Sequence, residues 1–329
     1  MPDIVIGNTL IKDGLVLAPM AGVTDLTFRS LCREKGASLT VSEMISAKGV
    51  WYKDKKTALL AVRAPNENTY ALQLFGSDPE IMAFAAKTLY ELDPEIAIID
   101  INMGCPMPKI TGNGDGSALM RSPELAGKVV RAVSDAVSIP VTVKMRTGWD
   151  ERSLNAPQLA AVCERNGASL ICVHGRTREQ LYRPPVDTDT IRKVKTAVGV
   201  PVVANGGIYG ATDALRLLSE TGCDGVAIGQ GALGNPWIFS EVAAALNGKA
   251  YHAPEKDEII DTAKRHVDML CADKGAYIGV REARKHLGWY IKGMTGAAEA
   301  RRLINVSESA DELHSILDRL LCSEKGDIV

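Results

Sequence analysis

The residues best suited to chemistry in this chain lie in one short run, Asn102-Met103-Gly104-Cys105-Pro106. A cysteine between glycine and proline sits in a sharp, non-helical turn. Its thiol is expected at a site rather than packed away, the usual fate of a free cysteine and the one expected of Cys32, Cys163 and Cys172. An unperturbed thiol, with a pKa near ~8.5, is mostly protonated at neutral pH. Cys105 can therefore donate a proton, or act as a nucleophile if a base lowers its pKa. No histidine lies nearby in sequence to choose between those roles.

Other polar residues fall at the ends of apolar runs. Lys144 ends Val141-Thr142-Val143-Lys144, where a buried lysine needs an anionic or hydrogen-bonding partner. His174 closes another run and is followed by Arg176 and Arg178, a loop suited to anions; Gln73 adds a neutral donor and acceptor. Two glycine-rich turns, Asn205-Gly206-Gly207-Ile208 and Gly229-Gln230-Gly231-Ala232, let backbone N–H groups come close to a phosphate. Together these groups suit a planar, hydrogen-bonding cofactor with a phosphate tail. Flavin mononucleotide (FMN) has that shape.

The elements that must position these groups follow from hydrophobic patterning. Short Val-, Ile- and Leu-rich runs at 15–20, 39–42, 70–75, 96–101, 141–145, 170–174, 202–205 and 225–229 read as strands buried on both faces. Amphipathic stretches at 79–92, 123–137, 157–166 and 211–221 lie between them. Eight such strands alternating with helices predict an α/β fold, a (β/α)8 TIM barrel. Its C-terminal strand ends converge on one rim, which explains so many polar strand ends better than an open sheet does. The glycine turns follow the seventh and eighth strands, where barrels commonly bind phosphate. Beyond residue 250 only helical periodicity remains, at 256–271, 280–291 and 311–322. The chain is therefore read as a barrel over 1–245 and a small all-helical domain over 250–329.

Composition narrows the class. The chain has 329 residues, 46% hydrophobic and 24% charged, so a folded protein is expected rather than a disordered one. No run approaches a membrane span and no secretory signal is visible. Seven scattered cysteines fit a reducing cytoplasm and argue against a disulfide framework or a structural metal site. A net charge of −2 does not announce a nucleic-acid partner, but residues 264–302 hold nine basic and four acidic side chains, a local +5.

The motifs together resemble the tRNA-dihydrouridine synthases, in particular the bacterial B-type branch. They are Leu17-Ala18-Pro19-Met20-Ala21-Gly22, the Cys105 loop with Lys109, Val143-Lys144-Met145-Arg146-Thr147-Gly148-Trp149, and His174-Gly175-Arg176-Thr177-Arg178. Asn205-Gly206-Gly207, Gly231-Ala232-Leu233-Gly234-Asn235-Pro236-Trp237 and Arg284-Lys285-His286-Leu287-Gly288-Trp289-Tyr290 complete the set. The resemblance covers nearly the whole chain. It implies a cytoplasmic flavoenzyme that reduces uridine in tRNA with NADPH. Ala18, Pro19, Met20, Gln73, Lys144, His174, Asn205, Gly206, Gly207, Gly229 and Gln230 would hold FMN, and Cys105 would be the proton donor. Asn102 and Arg176 would contact the flipped uracil, with Lys109 and Arg178 near the substrate and Arg281, Arg284 and Lys285 on tRNA phosphates. Gln230 departs from the arginine common there, and the segment 183–189 departs from the family pattern. A barrel cut before Tyr251 is expected to keep its flavin, provided its exposed seam stays soluble.

Overall fold

The computed structural model describes residues 3–54, 57 and 59–322. A short antiparallel hairpin, β1 (Ile4–Ile6) and β2 (Thr9–Ile11), comes first. The parallel strands then run β3 (Leu15–Leu17), β4 (Leu39–Val41), the two-residue β5 (Ile45–Ser46), β6 (Tyr70–Phe75), β7 (Ile98–Met103), β8 (Val141–Arg146), β9 (Ala168–His174), β10 (Val202–Asn205) and β11 (Gly225–Ile228). Leaving β5 aside, each pairs with the next, and β11 pairs back to β3 through Ala227 and Val16. The eight expected runs are thus the eight staves of a closed TIM barrel, and β5 only extends the edge of β6 at its C-terminal end.

Strand alternation divides each stave between two cores. Outward residues such as Leu72, Ile99, Ile101, Val143 and Val173 pack under the surrounding helices. Inward residues Val16, Leu39, Ala71, Ile98, Leu170 and Val203 fill the barrel, and Ile4, Ile6 and Ile11 of the hairpin join them. Three-residue strands carry too little alternation to be legible in sequence, and the hairpin emerges only in the fold.

Helices Lys256–Lys274, Ala276–Tyr290, Ala297–Ile304 and Ala310–Cys322 follow the barrel and share an apolar core that includes Ile260, Leu270, Val280, Leu287 and Leu317. The eight-residue Ala297–Ile304 is too short to stand out as periodicity. The last residues of the expected 250–329 segment, 323–329, lie outside the described residues.

This helical tail is pressed onto the barrel. Phe28, on the helix Leu26–Glu34, packs against His266 and His286 at ring-centroid distances of 6.0 and 5.6 Å. Trp237 belongs to the tail's core and donates to Glu258 at 2.6 Å. Gly234, at φ +66°, lies so close to Trp289 that a Cβ there would come within 2.4 Å of its backbone. No helix among the described residues is long and apolar enough to cross a membrane.

Candidate active site

The period of two that fills the barrel with aliphatics also fills its upper layers with polar groups. On β7 the inward positions read Ile98, Asp100, Asn102, and on β8 Thr142, Lys144, Arg146. On β9 they read Leu170, Cys172, His174, and on β10 Val203, Asn205. The interior is therefore apolar below and polar at the C-terminal ends, where a cavity of about 520 Å³ opens.

Gln73, Asp100 and Asn102 form a directed chain. The Asp100 carboxylate accepts from Thr142 and from Gln73 Nε2, both at 2.6 Å. An acceptor there turns the Gln73 amide so that its oxygen takes the Asn102 Nδ2 proton at 2.8 Å. Asn102 Oδ1 then faces outward and accepts the N–H groups of Gly104 and Cys105 at 3.0 and 2.9 Å. Arg146 Nε donates to the Gly104 carbonyl at 2.8 Å. The turn that carries Cys105 is thus pinned from both sides. Burial pushes the Cys105 thiol up, only partly opposed by the Met107 N–H and the charges of Arg146 and Lys144, so the thiol is protonated at neutral pH.

Opposite charges are scarce in this cavity. Lys144 donates to Asn205 Oδ1 at 3.1 Å, and Asn205 Nδ2 donates to the Ala227 carbonyl at 2.7 Å. Burial pulls the Lys144 ammonium down and lowers Arg146 to about 10. His174 lies well below its ordinary value through burial, reinforced by Lys144, Arg146 and Arg176, and is a neutral imidazole. Its Nε2 is 3.3 Å from Arg176 Nη1. Lys144, Arg146 and Arg176 line the cavity with no carboxylate among its lining residues, and the buried Asp100 beneath acts on Lys144 alone of the three, which favours an anionic occupant.

The two glycine turns meet on one side of the mouth. A Cβ on Gly206 would lie 2.8 Å from the His174 ring, and one on Gly207 2.9 Å from Val186. At Gly231 a Cβ would stand 2.1 Å from the Ile208 carbonyl, so only glycine lets the turns pack together. Tyr209 Oη donates to Gln230 Oε1 at 3.2 Å, giving the uncommon glutamine a neutral partner within the cup.

Ala18, Pro19, Met20, Gln73, Asn102, Cys105, Lys144, His174, Arg176, Asn205, Gly206, Gly207, Gly229 and Gln230 all line this one cavity. Lys109 lies outside it, exposed on the short helix Pro108–Thr111. Arg178 stacks on Trp149 at 4.6 Å from the ring centroid. Of the three tail cations, Arg284 donates to the Ser307 carbonyl, Lys285 to the Gly22 carbonyl, and Arg281 to the Tyr277 carbonyl while covering the Tyr277 ring at 3.7 Å. Sequence reasoning did not single out Asp100, Arg146, Met44, Tyr182 or Tyr209. Arg146 carried a signal, two residues beyond Lys144 on the same strand face. The tyrosines, in loops, carried none.

The seven cysteines are all free. Among the described residues no group of three or more His, Cys, Asp or Glu is placed to hold a metal ion.

A closed parallel barrel with helices between its strands defines a TIM barrel, and its cation-lined cavity lies at the C-terminal strand ends, where barrels of this kind build their sites. A family profile described as dihydrouridine synthase (Dus) matches residues 16–324. The chain is 42% identical over 312 residues to tRNA-dihydrouridine synthase B of Pseudomonas syringae pv. tomato, covering 94% of this chain and 92% of that protein. It is 41% identical over 306 residues to tRNA-dihydrouridine synthase B of Vibrio vulnificus, covering 93% and 94%. This chain belongs to the dihydrouridine synthase family. Histamine dehydrogenase from Rhizobium sp. 4-9 shares the fold at 12% identity and a TM-score of 0.58, covering 86% of this chain and 50% of that one.

Proposed function

We propose that this protein reduces uridines in tRNA to 5,6-dihydrouridine, using FMN held in the cavity and NADPH as reductant, in the cytoplasm. The observation that carries this reading is the Cys105 turn, pinned at the edge of a cavity whose cations and glycine turns suit a phosphorylated cofactor, with burial pushing the thiol up. Membership of the family and the activity named for its relatives supply the substrate.

The residues fit FMN. Gly206 and Gly207 leave bare backbone where any side chain would collide, a cradle for the phosphate together with Gly229 and Gln230. Lys144 has two ammonium protons to spare beyond its bond to Asn205, and His174 is neutral. Gln73 keeps one N–H, and Ala18, Pro19 and Met20 form the apolar wall. When bound, FMN supplies a hydride, drawn from NADPH, to C6 of the uracil.

Cys105 supplies the matching proton to C5. A protonated thiol suits that task, and burial keeps it protonated without a partner base. Asn102 and Arg176 orient the extruded uracil, with Lys109 beside the mouth. Extruding a base from folded tRNA costs a few kcal/mol, offset by contacts with the rest of the RNA. In this reading residues 1–245 carry the cofactor and residues 250–329 add RNA contacts, with Arg281 and the exposed Lys292 among the tail cations that pair with no acid of the described residues.

Incubation with unmodified tRNA, FMN and NADPH, followed by nucleoside mass analysis, tests the reading. Uridine should gain the mass of two hydrogens. Unchanged uridine in the presence of a reduced flavin would refute it.

A further inference from the structure

Three successive loops on the β7–β9 side of the mouth bring two arginines onto one indole. Arg121 ends the 3-10 turn Gly116–Arg121 that follows the Cys105 loop, Trp149 follows β8, and Arg178 follows β9. The guanidinium carbons of Arg121 and Arg178 lie 5.0 and 4.6 Å from the Trp149 ring centroid. None of the three residues lines the cavity.

We infer that the Arg121–Trp149–Arg178 stack is a phosphodiester clamp that grips the RNA strand beside the cavity mouth; this rests on the tRNA reading above. Two like charges gathered on one ring repel each other unless an anion joins them. Nearby acids do not supply it: Asp150 accepts from Ser153 Oγ and the Arg152 N–H, and no carboxylate among the described residues pairs with Arg121 or Arg178. Arg178 Nε is buried without a hydrogen-bond partner.

The stack is also held rigid. The Arg178 and Glu179 N–H groups donate to the Gly148 and Trp149 carbonyls at 3.0 and 3.1 Å, tying the two loops together. Arg146, at the end of β8, binds the Gly104, Thr177 and Leu181 carbonyls and links the same loops to the Cys105 turn. A strand that places a base in the cavity lays its neighbouring phosphates across the rim, and these loops form its β7–β9 side. Guanidinium and indole together suit phosphate and a stacked base without regard to sequence.

The test is equilibrium binding of unmodified tRNA across a salt series by the full chain carrying R121Q, R178K or the pair R121Q/R178Q. Arg121 is exposed, so R121Q removes a charge without a buried gap. The pair should weaken binding by about tenfold and flatten the log–log salt slope by roughly 0.7 to 0.9 for each phosphate left without its arginine. R178K, which keeps the charge but loses the planar stack, should keep most of the slope and lose part of the affinity. Affinity and slope equal to wild type in the pair would overturn the clamp. So would a raised KM for NADPH with tRNA binding untouched, which would give the cations to a dinucleotide phosphate. Wild-type protein that binds tRNA with this dependence yet forms no dihydrouridine would refute the proposed reaction and leave the clamp standing.

Discussion

The two cation-rich regions of this molecule use the same residue types to opposite ends. In the helical tail, Lys264 pairs with Asp318, Arg265 with Glu34, Lys274 with both Asp25 and Glu282, and Arg302 with Glu299. Arg284, Lys285 and Arg301 are spent on the carbonyls of Ser307, Gly22 and Gly288. At the barrel rim, no acid among the described residues forms an ion pair with Lys144, Arg146, Arg176, Arg121 or Arg178, and the buried Asp100 carboxylate acts on Lys144 alone of these cations. A local charge count therefore overstates the tail's field and understates the rim's, because the neutralising acids Glu34, Asp25 and Asp318 come from outside the counted stretch.

The tail's cations act as much on the protein as toward a ligand. Lys285 holds the Gly22 carbonyl, and the Gly22 N–H in turn donates to Glu43. Met20 and Met44, two residues and one residue from those anchors, line the cavity. Lys285 is thus a positioning residue for the β3 loop.

The largest effect expected is from removing the tail altogether. Deletion from Tyr251 exposes Phe28 and Trp237 and strips Lys285 from the mouth, so the barrel should aggregate, as read by soluble yield and light scattering. A soluble barrel that stays yellow would show that residues 1–245 stand as an independent unit. Next, C105A should lower turnover on tRNA by about 10²- to 10⁴-fold while tRNA affinity stays within error, because the thiol is a proton donor and not an anchor. A wild-type single-turnover rate would remove that role.

Acid should loosen the seam between the two regions before it unfolds the barrel. His266, lowered to about 4 by burial, and His286, held well below its ordinary value by burial and by His266, are neutral in the fold. Between about pH 6.5 and 4 the unfolded chain binds more protons than the native one. The stability these residues contribute is therefore present above about 6.5 and lost as pH falls, about 3 kcal/mol for His266 alone. Burial alone would raise Asp25, but Lys274 and the Phe28 N–H outweigh it and hold the carboxyl at about 2, which adds a further loss below its ordinary 3.8. Melting temperatures measured from pH 7 to 4 should fall, and H286L should flatten that fall; parallel curves would acquit the histidine pair.

The smallest effects separate the regions most finely. K285A should loosen FMN retention several-fold, about 1 kcal/mol, with a smaller change in tRNA affinity. R281Q should do the reverse, since Arg281 touches only Tyr277 of its own helix. Flavin titration and tRNA binding on both variants decide it; matching losses in both variants would mean the tail cations share one role.

Much of this was legible without coordinates because buried parallel strands must be apolar on both faces. The eight runs from Leu15 to Ile228 therefore stand out from the helices between them, and polar residues at their ends mark the rim. Cys105 was legible because glycine and proline forbid a packed helical setting for it. Asp100 was hidden, being one acid within an apolar strand whose role appears only when β6 brings Gln73 beside it.

The amino-acid sequence by itself determined the barrel and most of the groups that gather at its mouth, since these follow from local periodicity and chain connectivity. Only the tertiary structure decided which of those groups are free to act. Hydrogen-bond partners, burial and neutralising charges are set by residues far apart in the chain: Lys285 meets Gly22, Arg265 meets Glu34, and Arg121 and Arg178 each meet Trp149. A side chain's charge is written in the sequence, but its availability depends on which neighbours folding brings within reach.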